Sequence, residues 1–129
     1  MEITHNIVGW FDIPVTNMDR AIKFYETVFD LKLSRNQMGP VDMAWFPWID
    51  KGMGASGSLV YQKEFHKPSA EGTMVYLTAF SGDLANELKK VSTEGGKVVV
   101  PKTLITEEIG YMGIFIDTEG NRVALHSRK

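Results

Sequence analysis

The spacing of apolar residues along the chain predicts two amphipathic helices. Apolar side chains recur at helical spacing between Asn17 and Asp30, and Asn17 is placed to cap the first helix. The second helix is predicted to begin at Asp83 and to end before Gly95 and Gly96, because glycine is favoured just beyond a helix C-terminus. Its apolar stripe consists of Leu84, Ala85, Leu88 and Val91. Each helix therefore has one face suited to packing on a sheet.

Short segments rich in β-branched and aromatic residues lie on both sides of the two helices. Such segments are typical of strands, and turn-forming residues separate them. Pro101 is expected to end one strand, since proline cannot donate to a strand ladder. The strands are predicted over 3–15, around 31–35, 43–48 and 56–62, and over 73–80, 98–100, 111–117 and 122–127.

The order strand, helix, three strands occurs twice, which indicates an internal duplication. The segment Met43-Ala44-Trp45-Phe46 can be laid over Met112-Gly113-Ile114-Phe115, and each is followed by a turn and a final strand. The predicted class is therefore α+β with paired βαβββ modules. A three-layer arrangement, with helices on both faces of one sheet, is the competing interpretation.

The duplication predicts one domain over residues 1–129. Module 1 covers about 3–62, a polar connector covers 63–72, and module 2 covers about 73–127. A module of this size buries only a thin core alone, so we expect the two modules to share one core.

Composition excludes several classes of protein and of site. With 14 Lys and Arg against 16 Asp and Glu, the chain has no electrostatic footprint for nucleic acid. No apolar run approaches the length of a membrane span, and no secretory signal opens the sequence, so a cytoplasmic location is expected. The absence of cysteine excludes disulfides and thiolate ligands, and only His5, His66 and His126 supply imidazole.

Two motifs carry a family resemblance. The run from Ile13 to Tyr25 (IPVTNMDRAIKFY) and the run from Asp117 to Arg122 (DTEGNR) resemble the vicinal oxygen chelate superfamily. That superfamily includes glyoxalase I, bleomycin-resistance proteins, extradiol dioxygenases and fosfomycin-resistance enzymes, and the chain looks most similar to its bacterial glyoxalase-related lyase-like members. The resemblance implies a cup-shaped, mostly antiparallel sheet with helices on its outer face.

In metal-dependent relatives the cup holds a divalent metal through His, Gln and Glu side chains. The resemblance places those ligand positions at Trp10, at Met74 or Tyr76, at Ala124, and within residues 57–59. None of these positions has a histidine or a carboxylate, which are ligands that such metals require. We therefore predict no metal cofactor and a degenerate metal site, unless this placement of the ligand positions is wrong.

Side-chain alternation along the strands suggests which residues occupy the cup. Trp10 and Asp12 share one face of the first strand, and Arg122, Ala124 and His126 share one face of the last. Asp12 and His126 are candidates for an acid–base pair, with Tyr76 as a further catalytic group. The predicted ligand-binding residues of the cup are Trp10, Trp45, Tyr61, Met74, Tyr111, Arg122 and Ala124. The alternative is that His126 is a hydrogen-bonded surface residue and that the aromatic side chains fill the core.

Three functions remain compatible with the sequence. The first is a metal-independent, lyase- or isomerase-like enzyme acting on a small organic molecule. The second is a binding protein that sequesters an aromatic or cationic compound without chemistry, and the third is a metal-dependent glyoxalase-type lyase with misplaced ligands. A homodimer is expected, because relatives of this length complete the cup by pairing chains. The partners predicted are therefore a small molecule and a second copy, without nucleic acid or membrane.

Overall fold

The computed structural model describes residues 2–64 and 66–129, and its elements follow the predicted order twice. Module 1 contains β1 (Phe11–Pro14), α1 (Met18–Phe29), β2 (Ser34–Met38), β3 (Val41–Trp45) and β4 (Gly57–Tyr61). Module 2 contains β5 (Tyr76–Thr78), α2 (Leu84–Thr93), β6 (Lys97–Thr106), β7 (Gly110–Ile116) and β8 (Arg122–Ser127). This order confirms the α+β class and the duplication.

Both helices begin where the sequence predicts, because a polar side chain caps each one. Asn17 Oδ1 accepts a hydrogen bond from the Arg20 N–H at 3.0 Å, and Asp83 Oδ1 accepts one from the Ala85 N–H at 2.9 Å. Asp30 ends α1 in the left-handed conformation, with φ of 54°. Among the described residues, no helix is both long enough and apolar enough to cross a membrane.

Three strands of module 1 differ from their predicted bounds. The prediction for 3–15 was too long, since β1 begins at Phe11 and the exposed Ile7 and Val8 precede it outside any sheet. Apolar composition does not form a strand where no neighbouring strand offers hydrogen bonds. β2 and β3 are also displaced from 31–35 and 43–48, because the tight turn at Gly39, with φ of 62°, sets their register.

The prediction that Pro101 ends a strand was wrong. β6 continues through Pro101 to Thr106. It lies at the edge of its sheet, so a missing N–H costs no central hydrogen bond. Its register against β7 also shifts between Val100 and Thr103, and this irregularity accommodates the proline.

The strands form two separate four-stranded sheets with the same topology. Their orders are β1-β4-β3-β2 and β5-β8-β7-β6, so β1 and β5 each have a strand neighbour on one side only. β1 pairs with β4 and β5 with β8 in parallel, and the other pairs are antiparallel. Within the described part of the chain, no strand of one sheet has a Cα atom within 8 Å of a strand of the other. The two sheets are therefore not closed around each other.

Buried side chains from both modules form one hydrophobic cluster. Phe24 of α1 belongs to this cluster, with its ring centroid 5.0 Å from that of Tyr25 and 5.8 Å from that of Phe115 in β7. Phe24 is 1% exposed. Because this contact joins α1 to a strand of the other module, the burial of apolar surface stabilises both modules together.

A polar network attaches the turn before β8 to the start of α1. Glu119 Oε1 accepts hydrogen bonds from the N–H groups of Thr16 and Asn17, both at 2.8 Å. Arg20 Nε donates to Glu119 Oε2 at 2.7 Å, and the Glu119 side chain is fully buried. Burial alone raises the pKa of Glu119, but the bonds from Arg20, Asn17 and Thr16 outweigh it and lower that pKa to about 2.

A second buried contact lies beside this network. The Tyr25 hydroxyl donates to Asp117 Oδ2 at 2.7 Å, and burial, reinforced by the Asp117 charge, raises the pKa of Tyr25 well above its ordinary value. Asn121 Nδ2 donates to the Pro14 carbonyl at 2.7 Å. The DTEGNR motif thus connects the modules through hydrogen bonds to residues about a hundred positions earlier.

Candidate functional site

Each sheet has one face that carries a helix and one that does not, and we call the second the inner face. Ile13 and Leu59 pair in register and belong to the core beside the helices. Their neighbours Asp12 and Ser58 also pair, and strand alternation places them on the inner face. Trp45 pairs with Ser58 and therefore lies on the same face.

An aromatic pair dominates the inner face of the first sheet. The Trp10 and Trp45 rings are edge to face, with centroids 6.1 Å apart and an interplanar angle of 81°. Trp10 Nε1 donates to Asp12 Oδ1 at 3.1 Å. Trp45 Nε1 is buried and has no hydrogen-bond acceptor among the described residues. Because an unpaired buried donor costs free energy, this N–H favours an acceptor from outside the described structure.

The inner face of the second sheet is apolar with a few polar groups. Tyr76 pairs with Ala124, and His126 pairs with Met112. His126 Nε2 lies 2.6 Å from the Ile109 carbonyl oxygen, so the imidazole joins β8 to the turn before β7.

The structure does not bring Asp12 and His126 together within one chain. Asp12 accepts from Trp10, whereas His126 contacts the carbonyl of Ile109. The two residues belong to different sheets, whose strands do not approach each other in the described part of the chain. An acid–base pair of these two groups therefore needs a rearrangement or a second copy.

Other predicted residues also lie on the inner faces. Arg122 pairs with Ile116 at the start of β8, and its Nε donates to the Ala70 carbonyl at 3.0 Å. Met74 lies two residues before Tyr76, the first residue of β5, just as Trp10 lies two residues before Asp12. Because residues two apart on a strand share a face, the sequence alone was enough to predict that these side chains lie on the inner faces.

Tyr61 and Tyr111 lie on the helix-bearing faces instead. Tyr61 pairs with Asp42. Because it comes one residue after the inner-facing Val60, its side chain points to the opposite face of the sheet. Tyr111 packs against the core, and Lys102 Nζ lies 4.5 Å from its ring centroid. Aromatic character alone did not reveal the face, because that depends on the exact register of each strand.

The register of the duplicated sheets also defines the equivalent positions of the two modules. The pair Asp12–Ser58 in module 1 is equivalent to the pair Tyr76–Ala124 in module 2. Two residues earlier on each chain segment, Trp10 is therefore equivalent to Met74. Indole, thioether, hydroxyl and methyl groups therefore occupy the four positions where the resemblance places metal ligands, and they do not fit a divalent cation. The Ser58 hydroxyl donates to the Ala44 carbonyl at 3.2 Å. The described residues contain no group of three or more His, Cys, Asp or Glu side chains arranged to hold a metal.

Two clefts on the helix-bearing side were not anticipated from the sequence. They have volumes of about 290 and 450 Å³ and share Thr16 and Tyr61. Arg35 Nε donates to Asp42 Oδ1 at 2.7 Å in the smaller cleft, and this bond lowers the pKa of Asp42. His66 lies in the larger cleft and is exposed, as its position in the connector indicated. No sequence signal joins these residues, because they come from separate strands and loops.

Comparisons with known proteins agree with this geometry. The family model described as Glyoxalase/Bleomycin resistance protein/Dioxygenase superfamily matches residues 7–125. A search of curated proteins by sequence returns no match.

Solved structures with this fold include glyoxalase I from Zea mays, with a TM-score of 0.67 and 17% identity over 92% of this chain and 45% of that one. The chain thus spans about half the length of the maize protein. A glyoxylase/bleomycin resistance protein/dioxygenase domain from Frankia sp. EAN1pec has a TM-score of 0.70 and 15% identity over 98% and 100% of the two chains. TnmS3, an antibiotic binding protein from Streptomyces sp. CB03234, has a TM-score of 0.63 and 21% identity over 99% and 100%. At these identities the likeness establishes the fold.

Proposed function

This chain belongs to the glyoxalase/bleomycin resistance protein/dioxygenase superfamily, and from that premise we propose that it binds a small organic molecule on its inner faces without a divalent metal. The Trp10–Trp45 pair carries this proposal, since it offers aromatic surface at a position where metal-dependent relatives place a ligand. Burial of a flat ring against such surface is a common basis of small-molecule binding.

The unpaired Trp45 Nε1 supports binding in the same place. This N–H is covered in the described structure, so a ligand acceptor reaches it only when the Trp45 side chain turns, and the new bond then removes the cost of leaving a buried donor unsatisfied. The antibiotic-binding role of TnmS3 supports a binding function on this fold. Sequestration without chemistry therefore requires only groups that a single chain already brings together.

A lyase- or isomerase-like activity is the second candidate. It needs an acid and a base in one site, and the groups available for this are Asp12 and His126. Since one chain keeps them on separate sheets, this candidate depends on a second copy that places His126 of one subunit opposite Asp12 of the other.

We predict that Trp45→Phe weakens binding of a neutral aromatic probe, 9-anthracenemethanol, about tenfold, because the indole N–H and part of the ring are lost. The matched control is Trp48→Phe in the exposed loop after β3, where the side chain is 73% exposed. Fluorescence titration is expected to show less than a twofold change for this control.

The same titration after treatment with a chelator tests the metal-free part of the proposal. Affinity is expected to stay unchanged. A chelator-sensitive affinity, or equal losses in Trp45→Phe and Trp48→Phe, would contradict the proposed site.

We also propose a homodimer in which a second copy covers the inner faces. β1 and β5 are free sheet edges, and edges of this kind readily pair with another chain. Trp10 and Tyr76 are 44% and 51% exposed, which leaves aromatic surface open beside these edges.

Light scattering is expected to give twice the chain mass of 14.5 kDa. Tyr76→Glu introduces a charge on the proposed contact and is expected to shift the protein to a single chain mass. Lys23→Glu, on an exposed position of α1, serves as the control and keeps the dimer. A wild-type protein that scatters as 14.5 kDa at all concentrations would overturn this arrangement.

A further inference from the structure

We infer that the ligand of the first inner face is an organic cation, with a protonated nitrogen carried on a flat aromatic ring. This inference rests on the proposed function and specifies its ligand class. Two features of the inner face support it: the charge of Asp12 and the indole of Trp10 beside that charge.

Among the described strand residues of the first sheet, Asp12 is the one ionisable side chain on the inner face. Alternation from Asp12, Ser58 and Trp45 assigns the following described strand positions to that face: Asp12, Pro14, Ser34, Asn36, Met38, Val41, Met43, Trp45, Ser58 and Val60. The other nine are apolar or uncharged, so the face carries one negative charge.

The Asp12 charge is not neutralised within the described structure. The ion pairs among the described residues involve Arg20, Lys32, Arg35 and Lys102, and none of them includes Asp12. Among the residues that the structure describes, its one side-chain hydrogen bond comes from Trp10 Nε1 to Oδ1. The second carboxylate oxygen is therefore free to accept from a charged N–H, and such charge-assisted bonds are stronger than neutral ones.

The hydrogen bond between Trp10 and Asp12 also places an aromatic ring directly beside this carboxylate. The face of an indole attracts cations through its quadrupole, and tryptophan is the strongest of the aromatic side chains in this respect. A ligand that stacks on Trp10 and carries a protonated nitrogen satisfies both groups at once, whereas an anionic ligand meets repulsion from Asp12.

Three anthracene probes of nearly equal shape test the inference: protonated 9-(aminomethyl)anthracene, neutral 9-anthracenemethanol and anionic 9-anthracenecarboxylate. Fluorescence titration of the full chain is expected to show the cation bound about tenfold more tightly than the alcohol, and the anion more weakly than both. The cation preference is expected to decrease with added salt.

Asp12→Asn is expected to remove the preference, so that the cation and the alcohol bind with similar affinities. Asp50→Asn removes the same charge from the exposed loop after β3 and is the matched control, with the preference retained. Equal binding of cation and alcohol by the wild type, or a preference that survives Asp12→Asn, would overturn the inference and leave the proposed function intact. Failure of all three probes to bind would instead contradict the aromatic site and with it the proposed function.

Discussion

Replacing Glu119 with glutamine is expected to lower the free energy of unfolding by about 2 kcal/mol, which is the scale of leaving a buried hydrogen-bond donor without its acceptor. The half-exposed Arg20 regains contact with solvent, so the cost stays below that of breaking a fully buried ion pair. The Glu119 carboxylate is fully buried and accepts bonds from Thr16, Asn17 and Arg20. Glutamine keeps the size of the side chain but leaves one donor without its acceptor and Arg20 without its counter-charge. Urea unfolding at pH 7 measures the change.

The pH dependence of this effect follows from the pKa of Glu119, which lies at about 2 in the folded chain against an ordinary value of 4.5. A group with a lowered folded pKa stabilises the protein above its unfolded pKa and loses this contribution as the pH falls through its folded pKa. The difference in stability between wild type and Glu119→Gln is therefore expected in full at pH 7. It should decline below about pH 4.5 and be lost only once the pH has fallen below about 2.

Glu107→Gln provides the control for this experiment, because it makes the same chemical change at an exposed turn position. We expect its effect on stability to stay within about 0.5 kcal/mol. If Glu119→Gln were as mild as Glu107→Gln, the network between Glu119 and α1 would not be what holds the modules together.

Phe24→Ala is expected to destabilise the protein by about 3 to 5 kcal/mol, the range for removing a buried phenylalanine ring. Phe24 contacts Phe115 of the other module, so the cavity opens in the shared core. Thermal or urea unfolding should show a single transition at lower stability, because both modules depend on the same contact.

Phe80→Ala is the matched control for Phe24→Ala, since its side chain is 69% exposed. The same substitution is expected to cost less than about 1 kcal/mol at this position. Two separate unfolding transitions in the Phe24→Ala protein would show that each module has an independent core, which the continuous cluster of buried residues argues against.

Local signals were sufficient to predict the helices and the order of the strands, but not the bounds of every strand. Each helix has its own N-cap, Asn17 or Asp83, followed by its own apolar stripe. These local features are enough to predict where a helix begins. Pro101 was misread because the effect of proline in a strand depends on whether the strand has one neighbour or two. That property belongs to the sheet and is invisible in a local segment.

The candidate site was predictable in part, for the same reason. Alternation along one strand correctly grouped Trp10 with Asp12, because that relation needs no knowledge of neighbouring strands. Tyr61 and Tyr111 required the register of each strand relative to the core, and the structure places both on the opposite faces. The contact between Trp10 and Trp45 spans two strands that are not adjacent in sequence, so only the folded sheet shows it.

The sequence by itself determined the duplicated α+β architecture and the family, because amphipathic periods and turn motifs are local and occur twice in the same order. Only the tertiary structure shows which contacts the residues of the two motifs make. The Thr16–Arg20 segment and Glu119 were both conspicuous in the sequence, but their hydrogen bonds join positions about a hundred residues apart. Only the folded chain also shows that Asp12 and His126 lie on separate open sheets, since this depends on how the modules pack and not on the pattern within either one.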